Sequence, residues 1–466
     1  MRRHSPSQRR ASSGARAPDP VEGSTLPAGF LDAWNRLVSG WALPTLPRRR
    51  GRKPRVPLTD LLAALTFHVL SGSGTLADHF SQLFDEPLAD SSWADRRARL
   101  PWEVFADLMQ RVLRPQATHR HQEAFWRGWR LVALDGTQFS LINTPQILAT
   151  RPKVKTRRGR AAFAKITTGV LLELGLHNPL AAAIGRKGES EWVLAQRLLA
   201  QLPKRALLLG DRLYGVAAFA VHARAACARV GSHFLLRASR SVKPRVIKRL
   251  ADGSRLIRVR VREKGHPTRI VGSLEVREIR VRVGRRGHRM HELRLWTSLM
   301  TPRTAPALEL VQLYARRWEH ELYYRELKRA LRKTSVLQSH TVETAAQEIA
   351  ALVLASALLA TERARAALGH VPVLRVSFVK VLHVVQSMWL FLGPFQDLIT
   401  ERQKNQIVRR GHKLMGHCLT AKRRSRSCPR AVRQPVTGWP RLLHNESVIR
   451  LGIRDQGFPT CFRTGP

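Results

Sequence analysis

The chain has 466 residues, 44% of them hydrophobic, which is enough for two or three domains with sizeable cores. Its 81 Lys and Arg against 33 Asp and Glu leave a net charge of +48, which costs self-repulsion and points to a polyanionic partner, nucleic acid first, unless it only reflects an arginine-rich proteome. Cys227, Cys418, Cys428 and Cys461 lie far apart without CxxC spacing, which excludes a disulfide framework or zinc ribbon and suggests a reducing compartment; taken with His412 and His417 they match no standard metal spacing.

The first twenty residues, MRRHSPSQRRASSGARAPDP, lack the apolar run of a secretory signal. Residues 1 to about 25 are rich in Ser, Pro and Arg, and PRRRGRKPRVP from Pro47 is a second basic linker, either touching DNA phosphates or solvated; 1–56 is taken as a disordered basic N-terminal arm. LTDLLAALTFHVL from Leu58 has a helical apolar stripe with Thr59 or Asp60 near its cap. SSWADRRARLPWEVFADLMQRVL continues as two more helices, giving a helical N-terminal domain over 57–125.

From about Arg130 strands alternate with helices. WRLVALDG reads as a buried strand ending in a turn at Asp135-Gly136. Strands at KITTGVLLELGL and PLAAAIGRKG follow, then the helix SEWVLAQRLLAQL. RALLLGDRLYG is a strand stopping at Gly210-Asp211; VAAFAVHARAACARV is a helix and HFLLRAS a strand. This is an α/β pattern, taken as a core first part over 126–241. Residues 242–300 form a β-rich insertion: Ile257, Val259 and Val261 alternate with Arg258, Arg260 and Arg262. That predicts an antiparallel ribbon packed on one side and basic on the other, the basic side being either solvated or a phosphate-contacting surface. Helices return over 301–400, the second part of the core. The apolar run IAALVLASALLA is too short to span a bilayer and reads as buried. A basic C-terminal tail without clear periodicity occupies 401–466, and no internal repeat is visible.

YARRWEHELYYRELK, residues 314–328, offers three glutamates among many cations. On an ideal helix Tyr314, Arg317, Glu321 and Lys328 share one face within roughly 60° of arc, while Glu319 and Glu326 lie on another. Asp135 and Asp211 each follow an apolar strand, where a carboxylate serves as a helix cap or as a ligand-binding group. Two such aspartates plus one helical glutamate make the hard-oxygen donor set that Mg²⁺ prefers, and two such ions activate an attacking oxygen and stabilise a leaving one at a phosphodiester.

The spacing Tyr314-x2-Arg317-x3-Glu321-x6-Lys328 resembles the Tyr-Arg-Glu-Lys signature of the insertion-sequence-four family of bacterial DDE transposases. LDGTQFSL and LLLGDRLYG resemble the segments bearing the family's first and second catalytic aspartates, and HFLLRAS its strand ending in a DNA-contacting arginine. The resemblance covers roughly Leu58 to Leu368. It implies an RNase H-like α/β core, interrupted by a β-rich insertion between the second Asp and the Glu helix and preceded by the helical domain. It implies catalytic, metal-holding Asp135, Asp211 and Glu321, with two Mg²⁺ ions for which Mn²⁺ can substitute. It implies DNA contacts by Tyr314, Arg317, Lys328 and Arg237; Trp296, at the end of the insertion, is either a group holding a flipped base or a plain core tryptophan. The function implied is a transposase that binds terminal inverted repeats and carries out metal-dependent strand cleavage and strand transfer. The alternative is a catalytically inactive, decayed or domesticated DNA-binding relative. The partners expected are element-end and target DNA and a second copy in a homodimer, with no membrane, in the cytoplasm at the nucleoid.

Overall fold

The computed structural model describes residues 29–45, 56–71, 73–156, 159–240, 242–263, 266–284, 290–332, 334–367, 371–421 and the backbone of 461–464. Helix α1 (Phe30–Leu37) falls inside the stretch expected to be disordered. Its apolar positions recur at helical spacing, so Phe30, Ala33 and Trp34 are buried together, and the Phe30 ring lies 5.0 Å from Phe67. The basic, Ser- and Pro-rich surroundings hide this short pattern in the sequence. The rest of the helical layer is α2 (Leu58–Leu70), α3 (Leu76–Phe84), α4 (Asp90–Ala98) and α5 (Trp102–Val112). Helix α2 starts after Pro57 with no side-chain cap; Asp60 lies in its first turn, where it complements the helix dipole.

One large mixed sheet follows. Its strands are β1 (Trp129–Leu141), β2 (Ala164–Glu173), β3 (Asn178–Ile184), β4 (Ala206–Gly210), β5 (His233–Arg237), β6 (Arg245–Arg249), β7 (Arg255–Glu263), β8 (His266–Gly284) and β9 (His291–Thr297). The spatial order is β3-β2-β1-β4-β5-β9-β8-β7-β6. Strands β1 and β2 are antiparallel, with the short helix α6 (Pro145–Thr150) between them, whereas β1, β4 and β5 run parallel, with α7 (Glu191–Leu198) and α8 (Ala217–Arg229) in their connections. Residues buried on both faces, such as Leu207, Leu208 and Leu209, explain the unbroken apolar runs of β4 and its neighbours. In the ribbon, Ile257 and Val259 are buried while Arg258 and Arg260 are exposed.

The expected turn at Asp135-Gly136 does not form. Strand β1 continues to Leu141, paired with β2 throughout, from Val132 against Glu173 to Leu141 against Ala164. What ends at this point is the parallel neighbour: the last β1–β4 pair is Leu134 with Gly210. Asp135 therefore sits mid-strand, where one side of the strand becomes an open edge.

Behind the sheet lie α9 (Ala307–Tyr314), α10 (Glu319–Arg325), α11 (Val342–Ala367), α12 (Phe378–Leu392) and α13 (Glu401–His417). Helix α11 is longer than the twelve-residue apolar run suggests. At 26 residues it is long and apolar enough to cross a membrane, but 83% of its apolar window is buried inside the protein, as befits a core helix. Helix α13 lies where the tail was expected to be aperiodic; Thr400 and Gln403 form a capping box, and Val408 and Met415 bury its inner face.

Candidate active site

The Glu helix is not one continuous α-helix. A 3₁₀ turn (Ala315–Trp318) joins α9 to α10, and a π-helical turn (Glu326–Leu331) follows. This uneven winding gives the three glutamates different tasks. Glu319 Oε2 accepts from the Gly175 amide at 2.7 Å, and Arg316 holds its Oε1. Glu326 is taken up by His177 at 2.7 Å and Arg363 at 3.2 Å. Glu321 alone of the three is turned toward Asp135. The Arg317 guanidinium donates from Nη2 to Glu321 Oε1 at 2.7 Å and from Nη1 to Asp135 Oδ2 at 3.2 Å, bridging two carboxylates 186 residues apart in sequence.

Asp211 follows Gly210 and so emerges beside Asp135, which follows Gly210's partner Leu134. Its Oδ1 accepts from the Leu213 amide at 2.7 Å, fixing the turn. Burial pushes the Asp135 carboxyl up to about 7; Arg317 opposes this, while Asp211 and then Glu191 add to it. Asp211 and Glu191 thus lie within electrostatic reach of Asp135.

The cations and tyrosines close around this group. The Tyr314 hydroxyl donates to the Gly210 carbonyl at 3.2 Å, at the peptide that precedes Asp211. Arg237, at the end of β5, lies within electrostatic reach of Tyr314. The π-turn lets Lys328 Nζ meet the Gln138 carbonyl at 2.8 Å and the Thr137 hydroxyl on the open stretch of β1. Burial, with help from Arg332 and Lys165, lowers this ammonium to about 8. The Tyr324 hydroxyl donates to the Asp135 carbonyl at 2.7 Å.

Trp296 is not part of this group. Its side chain has no exposure, and its Nε1 donates to buried Glu278 at 3.3 Å. In this structure the ring is core packing, buried in one cluster with Leu236 and Val276, and not an exposed base-holding group. Sequence reading also passed over Glu191 and Tyr324. An acid opening a helix is ordinary, so Glu191 carried no distinguishing mark.

Asp135, Asp211 and Glu321 fit a hard divalent cation by donor chemistry, all three offering carboxylate oxygens, with Asp211 in electrostatic reach of Asp135. The spacing is open: Arg317 lies between two of them, and among the described residues no group of three or more His, Cys, Asp or Glu side chains is close enough to hold a metal ion.

Residues 126–358 match the family model described as the transposase DDE domain. The chain belongs to the DDE transposase family. Two relatives come from Escherichia coli strain K12. The transposase InsG for insertion sequence element IS4 is 28% identical over 233 residues, 49% of this chain and 51% of that protein. The putative transposase InsZ is 27% identical over 159 residues, 34% of this chain and 50% of that protein. The chain spans about half the length of the curated relatives it matches. A solved structure of the piggyBac transposase synaptic complex with hairpin DNA is similar at a TM-score of 0.33 and 9% identity, over 84% of this chain and 77% of that one. The family match encloses Asp135, Asp211 and Glu321 together with the whole β-rich insertion.

Proposed function

We propose that this DDE transposase serves a bacterial insertion sequence: it binds the terminal inverted repeats of the element and catalyses Mg²⁺-dependent strand cleavage and strand transfer. The observation that carries this reading is the Arg317 bridge from Asp135 to Glu321 beside Asp211, which draws three carboxylates from distant parts of the chain around one open strand edge. The order β3-β2-β1-β4-β5, antiparallel and then parallel, supports an RNase H-like core.

In this reading Asp135, Asp211 and Glu321 would hold two Mg²⁺ ions, or Mn²⁺ in their place, and such ions would supply activation of the attacking oxygen and stabilisation of the leaving one. Arg317, Lys328 and Arg237 bind phosphate oxygens next to the cut, and Tyr314 keeps the Asp211 turn in place through the Gly210 carbonyl. The exposed arginines of the ribbon extend the cationic track along the duplex. Joining two element ends calls for two copies of the chain, and such a protein works at the nucleoid in the cytoplasm. The retention of all three carboxylates, two of them sharing the Arg317 guanidinium, favours this over a catalytically inactive DNA-binding relative.

The test is cleavage of a duplex carrying the sequences that flank the gene, with Mg²⁺ supplied. Cleavage by the native chain and its loss in both Asp135→Ala and Glu321→Ala is the expected result. Equal cleavage by native chain and variants would remove the site assignment.

A further inference from the structure

Gly136 directly follows Asp135, and its backbone does not require glycine: it lies in a regular paired strand and is not among the residues of positive φ. The requirement is space. A Cβ placed there would lie 2.3 Å from Cδ and 2.4 Å from Cγ of Glu191. Its cross-strand partner is another glycine, Gly169, where a Cβ would approach Leu198 to 3.1 Å. Two facing glycines thus make a slot into which the start of α7 sinks, and the side chain filling it next to Asp135 is a carboxylate.

The other end of that carboxylate is also held. Tyr214 is fully buried, and its hydroxyl donates to Glu191 Oε1 at 2.8 Å. Tyr214 belongs to the Asp211 turn: its amide donates to the Asp211 carbonyl at 3.2 Å. Glu191 therefore touches both aspartate-bearing segments, through Gly136 on one and Tyr214 on the other. It arrives from the α7 face of the sheet, whereas Glu321 arrives from the helices on the opposite face.

We propose that Glu191 is a positioning residue of the carboxylate centre, spanning the Asp135 and Asp211 segments and adding a charge that draws divalent cations to them. This rests on the reading of Asp135, Asp211 and Glu321 as metal-holding residues. The need for charge follows from chemistry. A glutamine has the same shape, fills the same slot and accepts the same Tyr214 hydrogen bond, without repulsion from two neighbouring aspartates. A purely structural role is served better by glutamine than by glutamate.

The experiment compares the full chain with Glu191→Gln and Asp135→Asn, reading Mn²⁺ binding to DNA-free protein by electron paramagnetic resonance and the unfolding midpoint in urea. Residues that orient the ligands of a metal typically change its affinity by about ten- to a hundredfold. The expected result is a loss of that size in Glu191→Gln with an unfolding midpoint no lower than native. Mn²⁺ affinity in Glu191→Gln equal to native, with Asp135→Asn impaired, overturns the role of Glu191 and leaves the carboxylate centre standing. Equal affinity in all three proteins overturns both. A lowered urea midpoint in Glu191→Gln that accounts for its lost affinity assigns Glu191 to structure alone and also overturns the proposal.

Discussion

Replacing Glu278 by alanine should be among the most damaging single changes outside the active centre. Glu278 has no exposure, and its carboxylate accepts from Arg294 Nη2 at 2.7 Å, Arg255 Nε at 2.9 Å, Arg280 Nε at 2.9 Å and Trp296 Nε1 at 3.3 Å. Arg255 and Arg280 retain some exposure and can turn to water, but Arg294 is almost wholly buried. Its remaining partners are the carbonyls of Ser239, Arg240 and Val242, which do not neutralise it. Breaking a buried pair in this way costs about 3–5 kcal/mol, and Glu278→Gln, which keeps the shape and loses the charge, costs about 1.5–3 kcal/mol. The assay is urea unfolding followed by circular dichroism, with hydrogen exchange of β8 and β9 to localise the loss. Burial alone raises the Glu278 carboxyl, but Arg294, then Arg280 and Arg255, hold it below its ordinary value of 4.5. Its contribution is therefore complete above that value and disappears as pH falls through the lower folded-state value, so native and alanine proteins should converge in strong acid. A cost below about 1 kcal/mol at pH 7, or a gap that persists at low pH, would refute the reasoning.

Gly215→Ala puts a Cβ 1.7 Å from the Arg237 carbonyl oxygen, backbone against backbone, so it should cost about 3 kcal/mol or more and reduce soluble yield, while Gly272→Ala, with nothing within 4 Å, should not. Asp135→Asn should abolish cleavage yet stabilise the metal-free protein at pH 8. The folded carboxyl titrates near 7 instead of 3.8, so the native chain loses stability as pH rises between those values, by up to about 4 kcal/mol, and the asparagine variant does not; thermal melts at pH 5 and pH 8 report the difference. Arg317→Gln leaves Asp135 and partly exposed Glu321 without their shared cation, so it should lower stability by about 1–3 kcal/mol and weaken binding of end-bearing DNA in a salt titration.

The strands were legible because buried apolar runs and an arginine alternation of period two leave little room for other readings: Leu207, Leu208 and Leu209, or Ile257 and Val259 against Arg258 and Arg260. Glu321 was singled out by the resemblance and by the helix face it shares with Tyr314, Arg317 and Lys328; in the structure it shares the Arg317 guanidinium with Asp135, although the helix is wound in three ways and Lys328 lies in a π-turn that no α-helical wheel contains. The end of β1 was misplaced because the apolar run stops at Leu134, which marks the end of the β4 partner and not of the strand. The place of Trp296 depended on which strands flank β9, a tertiary fact with no local trace. Gly136 was read as a turn glycine because its real reason, the Glu191 side chain, is 55 positions away.

Trp296 and Glu278 have a purpose that their burial makes plain. Register pairs Leu134 with Gly210, Gly210 with Leu236, Leu236 with Trp296, Trp296 with Glu278 and Glu278 with Arg255. These six residues form one row across β1, β4, β5, β9, β8 and β7, beginning one residue before Asp135 and ending in the arginine ribbon. Directly paired residues share a face, and Trp296 and Glu278, fourth and fifth in the row, join the parallel strands to the ribbon. At about 4.8 Å per strand the row is roughly 24 Å long, which matches about seven base pairs of duplex. An insertion on a flexible tether would let its arginines wander relative to the carboxylates. Continuing the catalytic sheet into the ribbon instead sets a fixed distance between the residues proposed to cut and the charges proposed to grip. The buried tryptophan and glutamate are therefore better understood as the link that maintains this distance than as surfaces that meet DNA.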